Sequence, residues 1–224
     1  MELQKILSLE GASYYLKKII DIGIWKQLFN LNISTERIKK LNKLNKIIYN
    51  IQNKQLEVYL KSKVGNFKRK EVIKLSVLIN KNKYKNVSER LKLGNEVSGL
   101  LEILLVKQKL VKKVITNPTK TNVYNLYQQV GKDGLGLLLI SLLNSQNWKE
   151  KLGSIKQVIK CYNQSQVINP PQILNGKDLI RELDLEAGPI VGKVLNEIKL
   201  AQIQGKISNY QEAIKWAKGL VNNY

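Results

Sequence analysis

The chain has 224 residues, enough to bury one large or two small cores, and its 38 Lys and Arg against 17 Asp and Glu give a formal net charge of +21. A single cysteine, Cys161, and no histidine exclude an internal disulfide, a Cys/His zinc site and histidine acid–base catalysis. The longest apolar run, residues 135–143, falls far short of the roughly 20 residues of a membrane helix, and Met1-Glu2-Leu3-Gln4 opens no secretory signal; a soluble chain is expected, cytoplasmic, or stromal if plastid-encoded.

Apolar spacing is helical nearly throughout and no period-two stretch persists, so the expected fold is all-α, an irregular array of short helices ending in a small helical tail. Leu3, Ile6 and Leu7, then Tyr15, Leu16, Ile19 and Ile20, predict two short amphipathic helices broken at Gly11 and closing near Gly23. Trp25, Leu28 and Phe29 add an apolar turn. Ser34 is placed to cap a long helix carrying Ile38, Leu41, Leu44, Ile47, Ile48 and Ile51, with Lys40, Lys43 and Lys46 on a solvated side. After a break at Gly65, Lys68, Arg69 and Lys70 open a helix through Val72, Leu75 and residues 77–79. Asn95 is the expected cap, and Glu96 the first-turn acid, of a long buried helix running to Val114. Pro118 ends that helix, Thr121 caps the next, Gly131 stops it, and residues 135–143 form a central core helix. A further helix carries Ile155, Val158, Ile159 and Tyr162. The polar, proline-bearing stretch 164–175 marks a boundary between a body, 1–163, and a tail, 164–224.

The cationic excess argues for a polyanionic partner, nucleic acid first. The cations are almost all Lys, the arginines being Arg37, Arg69, Arg90 and Arg181; A/T-rich codons account for some of the Lys but not for the scarcity of acids. Gly131-Lys132-Asp133-Gly134-Leu135-Gly136 lacks the order of a phosphate-binding loop and reads as a helix–helix turn. Asp184-Leu185-Glu186 has the spacing of a metal-binding pair, but follows a helix and has no neighbouring acids. Trp25, Trp148 and Trp216 occupy helical apolar positions and read as packing residues.

The tail is more specific. Asn175 and Asp178 sit where a cap and a first-turn acid belong, and Gly188-Pro189 signals a second helix start, with Gly192 one turn in and Lys193 beside it. Backbone amides at Gly188, Ile190, Val191 and Gly192, with Lys193 and Lys177, are candidate phosphate contacts, and a plain helix start packed on its neighbour is compatible with that role. Arg90 and Lys92, beside another tight turn, form a second candidate.

Gly176, Asp178, Leu179, Gly188, Pro189, Val191, Gly192, Gly205, Ile207 and Ser208 fall in the order of a known signature. Over this tail the sequence resembles the carboxy-terminal part of bacterial-type (class II) tRNA nucleotidyltransferases and bacterial poly(A) polymerases. The stretch from Glu89 through Arg90-Leu91-Lys92 to Asn95 and Glu96 resembles a turn of the same family's body, and the first 25 residues resemble its neck more weakly. One departure is Asp184, where the family usually has glycine. The family's head motifs, a Gly-Gly-x-x-Arg-Asp turn, paired metal-binding aspartates and a nucleotide-selecting acidic-Asp-x-x-Arg helix, do not occur in the chain. The resemblance implies a tRNA-binding body and tail for CCA addition or a related activity, inactive alone, with ATP, CTP and magnesium belonging to a head made separately. An autonomous non-catalytic RNA-binding protein and a helical protein-interaction scaffold are the alternatives.

Overall fold

The structure is a computed structural model that describes residues 2–29 and 33–221, and the side chains of Leu28 and Phe29 lie outside the described ones. The chain begins with α1 (Glu2–Ser8), α2 (Ala12–Asp21) and α3 (Ile24–Phe29), separated at Gly11 and Gly23 as their spacing predicts. Leu7, Leu16 and Trp25 point into the core, whereas Tyr15, expected on the inner face, is 47% exposed and stacks edge-on against Tyr14.

Next come α4 (Thr35–Ile51), α5 (Lys54–Lys61), a two-residue-per-strand hairpin of β1 (Lys63–Val64) and β2 (Phe67–Lys68), and α6 (Arg69–Leu78). Ser34 does occupy the cap position of α4, but its side chain makes no capping hydrogen bond. At the start of α5 the cap is made in full, since Asn53 Oδ1 accepts from the backbone N–H of Gln55 and Leu56, both at 3.0 Å. In α6 every residue is buried except Lys70, which is half-buried.

A 3-10 turn leads to α7 (Tyr84–Arg90) and α8 (Gly94–Val106). Here the cap differs from expectation: Leu93 precedes the first turn and Asn95 lies inside it, because Lys92 and Gly94 both take positive φ, 50° and 74°, and start the helix two residues early. Glu96 is spent on tertiary structure, accepting from the Gly65 N–H at 2.6 Å. The helix expected to run on to Val114 breaks into α8, a 3-10 turn and α9 (Val111–Thr116). Gln108 Nε2 donates to Leu104 O at 2.9 Å, satisfying a carbonyl that the broken ladder leaves open.

After Pro118, α10 (Lys120–Val130) is capped by Thr119, whose Oγ1 accepts from the Asn122 N–H, and not by Thr121. The central α11 (Gly134–Leu143) is buried along almost its whole length. Its glycines permit that packing: a Cβ at Gly134 would lie 1.9 Å from the Tyr162 hydroxyl, and one at Gly136 2.7 Å from that of Tyr59. Asp133, in the turn before it, accepts from Arg69 Nε at 2.7 Å and Tyr59 Oη at 3.1 Å, so the glycine-rich turn serves as a structural anchor. Burial, more than the neighbouring Asp133, pushes the Tyr59 phenol well above its ordinary pKa.

The last elements are α12 (Leu152–Tyr162), α13 (Ser165–Ile168), α14 (Gly176–Leu183), α15 (Pro189–Gln204) and α16 (Tyr210–Val221). The architecture is all-α, with the β1–β2 hairpin as its one pairing among the described residues. Two hydrophobic clusters are present. The larger draws on residues 7–167, and the smaller on Leu174, Leu179, Val191, Val194, Ile198 and the facing side of α16. Helix α15 runs through both, since Ile203, near its end, is buried in the larger cluster and the helix packs on α10. Gln202 Nε2 to Pro171 O (2.9 Å) and Gln204 Nε2 to Thr121 Oγ1 (3.2 Å) fasten that end. The opposite end of α15 therefore stands about 20 Å away along the helix axis.

Candidate nucleic-acid interface

That far end of α15 is where the tail motif folds. Asn175 and Asp178 form a reciprocal cap, each accepting from the other's backbone N–H at 3.0 Å. Leu174 and Leu179 anchor this start in the tail cluster, and Arg181, one turn on, is engaged by Asp178, Glu182 and the Tyr210 hydroxyl. Helix α14 then closes at Asp184, which takes φ 52° and ψ 45°. This left-handed position is where glycine has no steric penalty and where Asp and Asn are the tolerated alternatives. The departure of Asp184 from the family pattern is thus conformationally conservative.

Gly188 is extended and makes no side-chain cap, and Pro189 takes the first helical position. The Val191 N–H turns back onto Gly188 O at 3.1 Å, so that amide, one of the predicted contacts, is used within the chain. The N–H groups of Gly188 and Ile190 precede the helical ladder and have no acceptor among the described residues, whereas the Gly192 N–H belongs to the first helical turn. Gly192 faces solvent, and a Cβ there meets nothing within 4 Å, so no other backbone closes on it. The contact between the two helix starts lies at Gly176, whose Cβ position is 3.5 Å from Val191 Cγ1. Lys177, next to Gly176, and Lys193, two residues past Val191, flank this contact in the sequence, and both are exposed. Open amides, the positive end of a 16-residue helix and two nearby lysines supply the donors and positive charge that an anion-binding site requires.

Arg90 and Lys92 stand apart on the body, at the end of α7, which packs on α8, whereas α15 packs on α10, α14 and α16. Arg90 lines an open cleft of about 490 Å³ with Gly23, Lys26 and Gln27. Neither Arg90 nor Lys26 has a carboxylate partner among the described residues. Lys92 is exposed but does not line the cleft. Lys26 comes to Arg90 from 64 residues away, a pairing that sequence spacing could not show.

Not every cation is available to a ligand. Lys43, expected on a solvated face, donates to Leu143 O at 2.8 Å and Ser145 O at 2.7 Å at the C-terminal end of α11. Burial, with Lys40 nearby, lowers its pKa. Arg37 does the same at the end of α6, donating to Val77 O and Ile79 O at 2.9 and 2.7 Å. Lys74, 1% exposed, holds the end of α1 through Leu7 O and Leu9 O at 2.7 and 2.8 Å. Lys40 pairs with Glu36 at 3.1 Å. Lys43, Arg37 and Lys74 thus offset the negative ends of helices.

Trp25 is buried, Trp148 packs on the larger cluster and Trp216 on the smaller, with Lys206 Nζ 5.5 Å from its ring, which fits packing roles. Asp184 and Glu186 lie exposed in the loop between α14 and α15. Among the described residues no helix is long and apolar enough to cross a membrane.

Comparison with known proteins places these features. The family profile described as "tRNA nucleotidyltransferase domain 2 putative" matches residues 91–217. A CC-adding tRNA nucleotidyltransferase of Synechocystis sp. is 32% identical over 106 residues, 46% of this chain and 25% of the relative. A CCA-adding enzyme of Leuconostoc mesenteroides is 32% identical over 111 residues, covering 49% and 27% respectively. A CCA-adding enzyme of Streptococcus suis is 33% identical over 52 residues, 23% of this chain and 13% of the relative. The chain thus spans about a quarter of the length of the first two relatives. No solved structure matches it. With a profile match over more than half of its length, and with the tail turn and Arg90 turn inside or beside that match, the chain belongs to the tRNA nucleotidyltransferase domain 2 family.

Proposed function

We propose that this protein is the tRNA-gripping body and tail of a CCA-adding nucleotidyltransferase. The observation that carries the reading is the start of α15: open amides at Gly188 and Ile190 near Lys177 and Lys193, within the stretch matched by the family. Phosphates of an A-form stem would be held there by N–H donation and charge, with Lys26 and Arg90 holding a second stretch of backbone. Such contacts read shape and spacing, not base sequence.

Nucleotide transfer needs metal-holding carboxylates and a triphosphate site. We assign both, with magnesium, ATP and CTP, to a catalytic head outside residues 1–224, because these residues carry none of the head motifs. In this arrangement the body and tail set where the acceptor end lies, and the head performs the chemistry. The chain alone should incorporate no nucleotide into tRNA.

The test is recovery of a tagged full chain from its source cells, with the bound RNA sequenced and bound proteins identified. Enrichment of tRNA together with a nucleotidyltransferase head is expected. Recovery of neither, or robust incorporation by the purified chain alone, would refute the proposal.

A further inference from the structure

A groove of about 1020 Å³ lies on the body between α4, α5 and α6, at the upper end of the size range of ligand sites. One face of α4 presents Asn45, Ile48, Tyr49 and Gln52 to it, at spacings of three and four residues. The neighbouring face of the same helix, Leu44, Ile47 and Ile51, is buried in the core. Of the groove-facing stripe, Ile48 packs against the core, while Asn45, Tyr49 and Gln52 lie outside it.

Its composition is unusual for a solvated face. Tyr49 is 75% exposed, and neither its hydroxyl nor the amides of Asn45 and Gln52 have a hydrogen-bond partner among the described residues. Gln52 also adopts a left-handed conformation, φ 48° and ψ 56°, which costs a non-glycine residue of order 1 kcal/mol. The floor is apolar, from Ile48, Leu56 and Leu60. Lys54, Lys61 and Lys70 stand around it, with Glu10 and Glu57; Glu57 is 3.9 Å from Lys61.

We infer that this groove binds unpaired RNA nucleotides. An exposed aromatic face takes a stacked base, the unpartnered amides of Asn45 and Gln52, with the Glu10 and Glu57 carboxylates, meet base edges and ribose hydroxyls, and lysines hold the phosphates. A duplex fits this chemistry poorly, since its base faces and pairing edges are already occupied. The site differs from the anion-binding end of α15 in both place and mode: one takes backbone phosphates, the other takes bases. The tail and the groove can therefore fail independently.

The test uses the full chain and 5′-labelled eight-nucleotide oligoadenylate and oligouridylate, followed by fluorescence anisotropy at fixed salt, with an RNA hairpin as competitor. Saturable binding that the hairpin displaces weakly is expected. Tyr49→Ala should weaken it by about 5- to 150-fold, the span of base–aromatic stacking, while Tyr49→Phe retains it. Tyr49→Ala alters no charge, and at an exposed position it should leave the melting temperature unchanged. Lys193→Ala should weaken tRNA binding but not oligonucleotide binding. No saturable oligonucleotide binding, equal competition by the hairpin, or equal affinity for wild type and Tyr49→Ala would overturn the proposal, whatever tRNA binding proves to be.

Discussion

Gly192→Ala separates ligand contact from folding more cleanly than removing a charge. In most glycine substitutions, lost binding cannot be distinguished from damaged packing. Here a Cβ meets nothing within 4 Å, φ is not in the left-handed region, and the residue lies in the first turn of a 16-residue helix. Alanine should therefore stabilise the chain by about 0.5–1 kcal/mol, through lower backbone entropy in the unfolded state. For a chain of this size that raises the melting temperature by roughly 1–4 °C. A helical Cβ tilts toward the N-terminus, so a new methyl group at Gly192 would lean over the start of α15 and crowd a phosphate oxygen held about 2.9 Å from the Gly188 and Ile190 nitrogens. Losing one hydrogen bond to a charged acceptor costs about 1.5–3 kcal/mol, or roughly 10- to 150-fold in affinity. Thermal melting and tRNA filter retention on the same preparation give both numbers. A raised melting temperature with unchanged tRNA affinity would refute the assignment of this turn as a contact.

Arg69→Ala leaves the Asp133 carboxylate buried without its ion-pair partner and should cost about 3–5 kcal/mol in denaturant unfolding, with a smaller loss in Arg69→Ala/Asp133→Leu. Asp184→Gly should be neutral or stabilising, whereas Asp184→Val should destabilise by about 1–2 kcal/mol, because a β-branched side chain disfavours the left-handed backbone found there. Burial, then Lys70, lowers the Lys74 pKa to about 8, while the unfolded chain keeps its ordinary value near 10.4. Between these values the unfolded state binds more protons, so stability should rise with pH from about 8 to 10. Lys74→Met should lose that increment, and an unchanged difference between the two proteins across this window would contradict the linkage.

Local chemistry was legible in the sequence where its partners are local. The Asn175–Asp178 cap spans three residues and folds as its spacing indicates. The Gly188-Pro189 start and the stops at Gly23 and Gly131 follow from backbone rules of the same range. Thr119 and Thr121 are both good caps on composition, and the structure shows that the one directly after Pro118 wins. The break at 107–110 was hidden because the apolar period continues across it. Non-local roles were illegible for a different reason. The acceptors of Lys43 lie 100 and 102 residues away, and the hydroxyls that require glycine at 134 and 136 come from α12 and α5. The stripe at Asn45, Tyr49 and Gln52 was readable as one helix face, but nothing in the spacing said that it borders a groove.

The central claim is that tRNA is held at specific points and not by diffuse charge alone. It is tested most directly by the salt dependence of tRNA binding for Lys193→Ala beside Lys39→Ala, an exposed lysine outside both cationic sites. Each substitution removes one positive charge, so a diffuse field would register them equally. The account predicts that Lys193→Ala lowers affinity several-fold and reduces the slope of log affinity against log salt by about one, while Lys39→Ala changes neither appreciably. Equal losses in the two variants would contradict it.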